Sequence, residues 1–255
     1  MVPFPVRQLL FLTLPAVMAL MNPAQITRDT SSVYRSSIDL PHSEVRYRNC
    51  HEIQQCGKAN SDGIYVIYPH DCCPQRPVTV FCDMTTGGGG WTVIQRRENI
   101  TVKENFSRTF LEYGLGFGYP GQDHWLGLDH VHALTNQEHN QIRIDMTDFY
   151  GNKTWAEYEF FYVGDRHSRY TLEAKYYTGN AGDALSFHSG MNFLDNMYII
   201  SQGSQGGWWH ARNPKCNLNG LFLDPREKCY SGVFWSSASH CHTLNSTSMR
   251  IRPNY

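Results

Sequence analysis

Residues 82–97 decide the fold of this chain: they read Cys82-Asp83-Met84-Thr85-Thr86-Gly87-Gly88-Gly89-Gly90-Trp91-Thr92-Val93-Ile94-Gln95-Arg96-Arg97. Because glycine has no Cβ, the glycine run can take positive φ angles and lets other chain segments approach closely. After the glycines, side chains alternate between two faces from Trp91 to Arg96, as they do in a strand. The stretch therefore predicts a tight turn that feeds a core strand. A phosphate-binding loop is excluded, because no Gly-Lys-Ser or Gly-Lys-Thr closes the run and no helical pattern follows it directly.

The same stretch resembles the signature of the fibrinogen C-terminal domain family, and further matches follow it in order. They are Glu104-Asn105-Phe106, Trp125-Leu126-Gly127-Leu128, Leu134-Thr135-Asn136, Arg143-Ile144-Asp145-Met146, Gly179-Asn180-Ala181-Gly182-Asp183-Ala184-Leu185, Gly207-Trp208-Trp209, Asn217-Leu218-Asn219-Gly220-Leu221 and Met249-Arg250-Ile251-Arg252-Pro253. Within the family, the chain looks most similar to the single-domain secreted lectins of invertebrate immunity, such as tachylectins and ixoderins. The resemblance implies an α+β fold with a small N-terminal sheet, a central antiparallel sheet with short helices, and an irregular C-terminal subdomain that carries the ligand surface.

Periodicity read from the residues alone agrees with an α+β domain on an antiparallel sheet. Strand-like alternation is predicted at residues 64–68, 78–82, 141–147, 157–163 and 170–174, with a turn at Gly151-Asn152. Helical spacing of Phe106, Phe110 and Tyr113 predicts a helix over 104–113, with Asn105 or Ser107 as its cap. A second short helix is predicted over 129–134.

The N-terminal residues are typical of a signal peptide. Arg7 precedes an apolar run from Leu9 to Met21, which is too short to span a bilayer and has the length of a signal-peptide hydrophobic region. Cleavage near Ala24 gives a signal peptide at 1–24, a short polar leader at 25–45 and a single domain at 46–255. The alternative is a buried N-terminal helix. We therefore expect a secreted, extracellular protein with no membrane insertion.

The charge balance argues against nucleic acid as a partner. The chain has 22 Lys and Arg residues against 23 Asp and Glu residues, a formal net charge of −1. Nucleic-acid binding needs a clustered excess of basic residues.

Four Asn-x-Ser/Thr sequons predict surface glycosylation in an exported chain: Asn99, Asn105, Asn152 and Asn245.

Cysteines in an exported chain indicate disulfides, because that compartment is oxidising. Spacing leaves the pairing of the 8 cysteines open. The resemblance implies one bond, between Cys50 and Cys82. Cys56 with Cys72 or Cys73 is the next expectation, which leaves one thiol of the doublet for another role, such as a crosslink between two subunits. A new disulfide is expected between two of the three cysteines Cys216, Cys229 and Cys241. The cysteine left over is free, bonds the odd N-terminal cysteine or bonds another chain.

The family's calcium loop follows Gly-Met-x-Phe and is rich in aspartate, because Ca²⁺ needs about six to eight oxygen ligands. Gly190-Met191-Asn192-Phe193 is present here, but the chain continues Leu194-Asp195-Asn196-Met197-Tyr198-Ile199-Ile200-Ser201-Gln202-Gly203 and the loop is shorter than the family's. Asp195 is its only carboxylate. The sequence therefore predicts that no calcium or other cofactor binds here, although the resemblance implies calcium.

In the lectins that this chain resembles, an aromatic pocket takes an acetyl methyl group, a cis peptide at a Cys-His pair aims donors at the acetyl oxygen, and tyrosines form the wall. Here Asn213-Pro214 replaces Cys-His, and this bond is a candidate for the cis form. Ser204 and either Cys241 or His242 replace wall tyrosines. We predict a reshaped ligand pocket formed by Trp209, His210, Asn213, Tyr230, Ser231 and His242. The competing interpretation is that these aromatic side chains are core and bind no ligand.

Metal and enzyme chemistry are both disfavoured. His240-Cys241-His242 places two imidazoles on one strand face, with His210 as a possible neighbour, but Cys241 is more simply a disulfide partner. No Gly-x-Ser-x-Gly or His-Glu-x-x-His motif occurs, and nothing indicates that Asp183, His188 and Ser189 share a cleft.

The predicted function is a secreted, non-enzymatic recognition protein of innate immunity that binds acetylated or patterned sugars on microbial surfaces. Weak binding at single sites favours a homo-oligomer, which would form through the domain face or through a spare cysteine. An alternative from another class is a fibrinogen-like module that binds a surface protein, as in clotting, growth-factor or venom settings, with no sugar site. A third hypothesis is a degenerate variant whose shortened loop leaves it poorly folded.

Overall fold

The computed structural model describes residues 45–57, 59–73, 75–98, 103–195, 205–224, 231–239 and 243–255. The predicted signal peptide at 1–24 and all but the last residue of the leader at 25–45 lie outside these ranges. No helix within them is both long enough and apolar enough to cross a membrane.

Short helices and longer strands follow one another along the described chain. The helices are α1 (Cys50–Gln55), α2 (Phe110–Leu115), α3 (Leu128–Gln137) and α4 (Ser236–Ser239). The strands are β1 (Gly63–Ile67), β2 (Val78–Asp83), β3 (Trp91–Glu98), β4 (Phe117–Gly118), β5 (His124–Trp125), β6 (Asn140–Thr147), β7 (Lys153–Val163), β8 (Leu172–Gly179), β9 (Cys216–Asn217), β10 (Phe234–Trp235) and β11 (Ser246–Pro253). Single 3₁₀ turns cover Thr86–Gly88 and Ser186–His188.

One antiparallel sheet of 9 strands organises the domain, with the main order β1-β2-β3-β11-β6-β7-β8. The last strand of the chain, β11, lies in the middle, paired with β3 on one side and with β6 on the other. The two halves of the sheet are therefore joined only when the C-terminal residues are in place. The predicted α+β class and antiparallel sheet are confirmed.

The predicted strands are all present, and where their observed bounds differ from the predicted ones the structure gives a physical reason. The strand predicted at 170–174 begins only at Leu172, because Arg169 and Tyr170 have left-handed backbone angles, with φ of 53° at each. β7 extends back to Lys153, because it pairs with β6 up to the turn at Gly151. Alternation in β6 is clear, since its buried and half-buried residues alternate along the whole strand.

The helix predicted over 104–113 begins at Phe110, so its predicted start and caps were wrong. Thr109 is the N-cap: its side chain accepts from the Glu112 N–H, and the Glu112 carboxylate accepts from the Thr109 N–H. The Asn105 side chain instead accepts from the Ser107 N–H at 2.8 Å within a turn. Phe106 lies in the loop before the helix and is buried. Its spacing from Phe110 and Tyr113 therefore resembled that of a helix although Phe106 is not part of one.

The glycine turn has the geometry that the sequence predicts. Gly87, Gly88, Gly89 and Gly90 all have positive φ, between 52° and 93°. A Cβ on Gly89 would overlap the Met84 carbonyl group. Two long side chains hold the turn from opposite ends of the chain. Gln54 of α1 donates to the Met84 and Gly88 carbonyl oxygens at 3.2 and 3.1 Å. Arg252 of β11 donates to the Gly87 and Gly89 carbonyl oxygens at 3.0 and 2.7 Å.

Cys50 is bonded to Cys82, as the family resemblance implied, and the bond ties α1 to β2. The expected bond of Cys56 with Cys72 or Cys73 is not formed. All three are exposed thiols, and Cys72 Sγ lies 3.3 Å from Cys73 Sγ in the turn after β1. Cys216 is a buried thiol in β9. Its candidate partners, Cys229 and Cys241, lie outside the described residues.

Three of the predicted glycosylation sites fall within the described chain. Asn105 and Asn152 are exposed and Asn245 is half-buried, while Asn99 lies outside the described ranges. The Asn152 amide donates to the Asp148 carboxylate at 2.8 Å. Glycosylation at all four positions stays a prediction.

Replacing Gly89 by alanine is expected to destabilise the domain more than replacing Gly87. Both have positive φ, which costs an alanine about 1–2 kcal/mol, but a Cβ on Gly87 meets nothing within 4 Å. At Gly89 the overlap with Met84 adds about 1–3 kcal/mol. Urea unfolding of the two variants measures the difference, and equal losses would show that the close approach is absent.

The Asp83–Arg250 ion pair is expected to make the sheet acid-sensitive. Burial acts to raise the pKa of Asp83, but hydrogen bonds from Thr86 and Thr85 and the Arg250 charge outweigh it, so the pKa lies below its ordinary value of 3.8. The stabilisation is therefore present above pH 4 or so and is lost as the pH falls through the lowered pKa. Asp83→Asn should cost about 3 kcal/mol at pH 7. In urea titrations at several pH values this cost should shrink below about pH 4; a constant cost would contradict the assignment.

Candidate functional site

The predicted ligand surface depends on the irregular segment 205–224, which side chains from β3 hold in place. Gln95 Nε2 donates to the Leu218 carbonyl at 2.8 Å, and Gln95 Oε1 accepts from Thr247 Oγ1 at 3.1 Å. Arg97 Nη1 donates to the Gly220 carbonyl at 2.8 Å. Buried carbonyl groups need such partners, because leaving one unpaired costs about 1–3 kcal/mol.

Arg97 is held as a buried cation between two aromatic rings. Its guanidinium carbon lies 3.9 Å from the Phe106 ring centroid and 4.5 Å from that of Phe222. Burial lowers the pKa of Arg97 to about 10, although the nearby Asp123 charge acts to raise it. The arginine therefore stays charged at neutral pH and connects β3 to the loop at Phe222.

Gln95 and Arg97 were not identified from the sequence as structural residues. A β-bulge in β3 interrupts the alternation of its side chains, because Met249 of β11 pairs with Gln95 whereas the next residue, Arg250, pairs with Val93. The bulge places Gln95 and Arg97 on the opposite face from Trp91 and Val93, where the buried Met249 also lies. Buried polar side chains need buried partners, and these two find theirs in the irregular segment.

Asparagines and glycines complete the support of the segment. The Asn217 amide donates to the Gln205 carbonyl at 2.8 Å, and the Asn219 amide donates to the Gly207 carbonyl at 2.9 Å. A Cβ on Gly220 would overlap the Gly232 carbonyl group. The Asn-Leu-Asn-Gly motif is thus explained by packing.

Trp209 is a buried residue of the described core, which argues against the prediction that it lines a pocket. Its side chain is 0% exposed, and its indole N–H donates to the Tyr170 carbonyl at 2.7 Å. Its ring lies 5.2 Å from that of Trp208 and 5.4 Å from that of Phe193, centroid to centroid. The competing interpretation, that this aromatic residue is core, is correct for Trp209.

The other predicted pocket residues are dispersed or outside the described chain. His210 is half-buried and donates from Nε2 to the Gly206 carbonyl at 3.0 Å. Asn213 is exposed, and no peptide bond of the described chain is cis, so the Asn213–Pro214 bond, a candidate for the cis form, is trans. Ser231 is half-buried and accepts from the Leu221 N–H through its carbonyl. Tyr230 and His242 lie outside the described residues, as does Ser204.

His188 connects three segments beneath the surface. It is 0% exposed, and its Nε2 accepts from the Lys215 and Cys216 N–H groups at 3.1 and 3.2 Å. Because Nε2 accepts, the ring proton lies on Nδ1 and is donated to the Trp209 carbonyl at 2.7 Å. Burial lowers the pKa of His188 and outweighs this hydrogen bond, so the ring is neutral.

Asp195, the carboxylate left from the calcium loop, has a structural partner. Its Oδ2 accepts from the Phe110 N–H at 2.8 Å, at the start of α2, and the residue is 7% exposed. Residues 196–204 of the shortened loop lie outside the described chain. Within the described ranges, no group of three or more His, Cys, Asp or Glu side chains is placed to hold a metal ion.

Asp183, His188 and Ser189 do not form a catalytic arrangement. The Asp183 carboxylate accepts from the Tyr158 and Ser186 hydroxyl groups, and Ser189 Oγ donates to the Ala174 carbonyl at 3.0 Å. Each side chain is engaged in its own structural contact, and His188 is bonded only to main-chain groups among its described partners.

The surface above His188 is apolar and basic. We call it the C-terminal patch and define it by Phe187, Met191 and Lys215. Phe187 is 49% exposed and Met191 is 37% exposed. The Lys215 ammonium lies 5.7 Å from the Phe187 ring centroid. The Met191 N–H donates to the His188 carbonyl at 3.1 Å, the Lys215 N–H donates to His188 Nε2, and the Phe187 ring lies edge-on to the His188 ring with the centroids 5.7 Å apart. His188 thus contacts all three residues.

The surface pockets in the described part of the chain include three with volumes of about 440, 330 and 260 Å³. None of the three is lined by Trp209, His210, Asn213 or Ser231. The largest and the second lie over β7 and β8, and the third lies beside β4, β5 and the start of β2.

Comparison with known proteins identifies the class of this fold. The family model of the fibrinogen beta and gamma chains, C-terminal globular domain, matches residues 46–254. Fibrinogen C domain-containing protein 1-A of Xenopus laevis is 40% identical over 220 residues, which cover 81% of this chain and 47% of the relative. The chain thus spans about half the length of the curated relatives that it matches.

Solved structures agree in fold. The fibrinogen-like globe domain of human ANGPTL2 superposes with a TM-score of 0.75 at 33% identity, covering 82% of this chain and all of the other. The lamprey fibrin D-dimer in complex with the peptide ligand Gly-His-Arg-Pro-amide gives a TM-score of 0.71 at 27% identity, covering 83% of this chain and 75% of the other. This chain belongs to the family of fibrinogen C-terminal globular domains.

His210 is expected to make the segment acid-sensitive in the pH range where histidine titrates. Burial lowers the pKa of His210 to about 4, from an ordinary value of 6.5. The unfolded chain therefore binds a proton that the folded chain does not, and stability falls as the pH drops from 6.5 toward 4. His210→Gln should reduce this loss by at most about 3 kcal/mol. Urea unfolding of the wild type and the variant at pH 7 and pH 4.5 measures this loss of stability. Equal losses in the two proteins would contradict the assignment.

Proposed function

We propose that this chain is an extracellular, non-enzymatic module that binds a protein partner. The observation that carries the proposal is the C-terminal patch: a partly exposed phenylalanine and methionine beside a lysine, on a support fixed by His188. Aromatic residues and methionine are enriched at the centres of protein interfaces. An apolar centre with a cationic edge fits a partner surface that is apolar with an acidic residue at its rim.

The sugar-binding hypothesis has less support at its predicted position. Trp209, the central aromatic residue of the predicted pocket, is inaccessible because it is packed against Trp208 and Phe193. Among the similar proteins, the lamprey structure has a peptide as its ligand. Both observations favour the protein-binding alternative. Binding of an acetylated sugar through Tyr230 and His242, which lie outside the described residues, is the competing hypothesis.

Binding to cultured cells separates the two functions. The purified, fluorescently labelled protein is added to cells that have been treated with trypsin or with a mixture of glycosidases. A protein partner predicts that trypsin abolishes binding and that glycosidases leave it unchanged. Binding that survives trypsin but is lost after glycosidase treatment, or retention on N-acetylglucosamine resin reversed by the free sugar, would instead establish a lectin.

Variants of the patch test where that partner binds. Phe187→Ser and Lys215→Ser are each expected to weaken trypsin-sensitive cell binding about tenfold, as loss of a hot-spot side chain does. Tyr150→Ser is the matched control, because Tyr150 is 88% exposed in the β6–β7 turn. Circular dichroism confirms that each variant is folded. Unchanged binding by both patch variants would place the partner elsewhere.

A further inference from the structure

A groove lies across one face of the β7–β8 ribbon. Phe160 pairs with Lys175, and Tyr162 pairs with Glu173, across the two strands. Residues two apart in a strand share a face, so these four side chains lie side by side. The Lys175 ammonium contacts the Glu173 carboxylate at 2.6 Å and lies 5.3 Å from the Phe160 ring centroid. The two largest pockets described above open on either side of this ion pair.

The first pocket is acidic. It has a volume of about 440 Å³, and its lining includes His132, Asn136, Tyr162, Asp165 and Glu173. His132 Nδ1 donates to the Val163 carbonyl at 2.9 Å, and this bond fixes the imidazole edge-on to the Tyr162 ring. The Asp165 carboxylate, the Asn136 amide and the Tyr162 ring are present, and the Glu173 carboxylate at the edge is paired with Lys175. No lysine or arginine is among the described residues that line this pocket.

The second pocket is aromatic. It has a volume of about 330 Å³ and is lined by His139, Glu159, Phe160, Lys175, Tyr176 and Asn254. The His139 ring lies edge-on to the Phe160 ring, with the centroids 5.7 Å apart. Phe160 and Tyr176 therefore provide apolar surface next to the acidic pocket.

Tyr176 is held in a costly conformation at this pocket. Its φ is 62°, although it lies inside β8, and its side chain is 69% exposed. A bulky residue with positive φ is a genuine outlier, and such strain concentrates at ligand-binding positions. Burial of the ring does not compensate for this strain, since the ring is mostly in solvent. The strain instead keeps an aromatic ring at the rim of the pocket.

The spacing of the two pockets matches an extended peptide. Phe160 and Tyr162, one in each pocket, are two residues apart on β7, which is about 7 Å along a strand. Alternate side chains of an extended peptide point the same way with the same spacing. A guanidinium group binds a carboxylate in a bidentate manner and stacks on an aromatic ring, and the acidic pocket offers both groups.

We propose that this groove binds an extended peptide segment of a partner protein, with an arginine or lysine in the acidic pocket and an apolar or aromatic side chain, two residues away, in the aromatic pocket. The inference rests on the proposed protein-binding function and adds a second contact region to it. The charge of the acidic pocket favours a cationic peptide over a neutral sugar.

The test uses the folded protein and a synthetic probe, acetyl-Gly-Phe-Ser-Arg-Ser-Phe-Gly-amide, which offers a phenylalanine two residues to either side of the arginine. A second probe has glutamine in place of arginine. Calorimetric titration should show the arginine probe binding about tenfold more tightly than the glutamine probe. Asp165→Asn should remove this preference, leaving the affinity for the glutamine probe unchanged. Asn retains an oxygen that can accept the 2.8 Å hydrogen bond from the Ser168 N–H.

Tyr176→Gly should weaken both probes about tenfold without lowering the thermal midpoint, because glycine adopts this φ without strain. Glu98→Gln, an exposed carboxylate on β3, is the matched control and should bind like the wild type. Equal affinity for both probes, or a preference that survives Asp165→Asn, would overturn the proposal. So would displacement of the arginine probe by di-N-acetylchitobiose.

The outcome is separable from that of the proposed function. If the probes fail to bind while trypsin-sensitive cell binding remains, the groove proposal is wrong and the protein-binding function stands. If the arginine probe binds as expected while cell binding is insensitive to trypsin, the groove is a peptide site but the proposed cell-surface protein partner is wrong.

Discussion

Two buried polar side chains of one core strand, Gln95 and Arg97, hold the part of the domain that has almost no regular structure. The segment 205–224 contains only the two-residue strand β9, so a backbone ladder does not satisfy most of its carbonyl groups. The β3 side chains supply the missing donors at Leu218 and Gly220. Since β3 is itself fixed by β11 and by the glycine turn, the irregular segment is as well positioned as the sheet.

In this arrangement, the residues that the fold requires are different from those that face the solvent. Residues whose geometry is demanding, such as Gly89, Gly220 and Asn219, are used for close backbone approaches and buried amide contacts. The side chains that face outward, such as Phe187 and Lys215, are not needed for those contacts. Recognition can therefore be built from exposed residues on a rigid support, as is common where loops carry function.

The sequence predicted features that depend on local chemistry or on a motif. The glycine turn, the strand that follows it, the antiparallel sheet and, through the resemblance, the Cys50–Cys82 bond belong to this group. The start of α2 was missed, because the capping box of Thr109 and Glu112 competes with weaker candidates at Asn105 and Ser107. Trp209 was misassigned, because an aromatic residue in a motif forms a pocket wall or a core, and only burial decides between them. His188 was missed for a related reason: its three main-chain partners come from segments distant in sequence.

The central claim is that β3 side chains, rather than backbone pairing, fix the segment 205–224, which carries Lys215 of the C-terminal patch. Hydrogen exchange of the wild type and of Gln95→Met, measured by mass spectrometry on peptides that cover residues 216–221 and 142–163, tests it most directly. The account predicts that exchange in 216–221 accelerates at least about tenfold in the variant, while 142–163 in the sheet stays protected. Unchanged exchange in 216–221, or an equal acceleration in both regions, would contradict it.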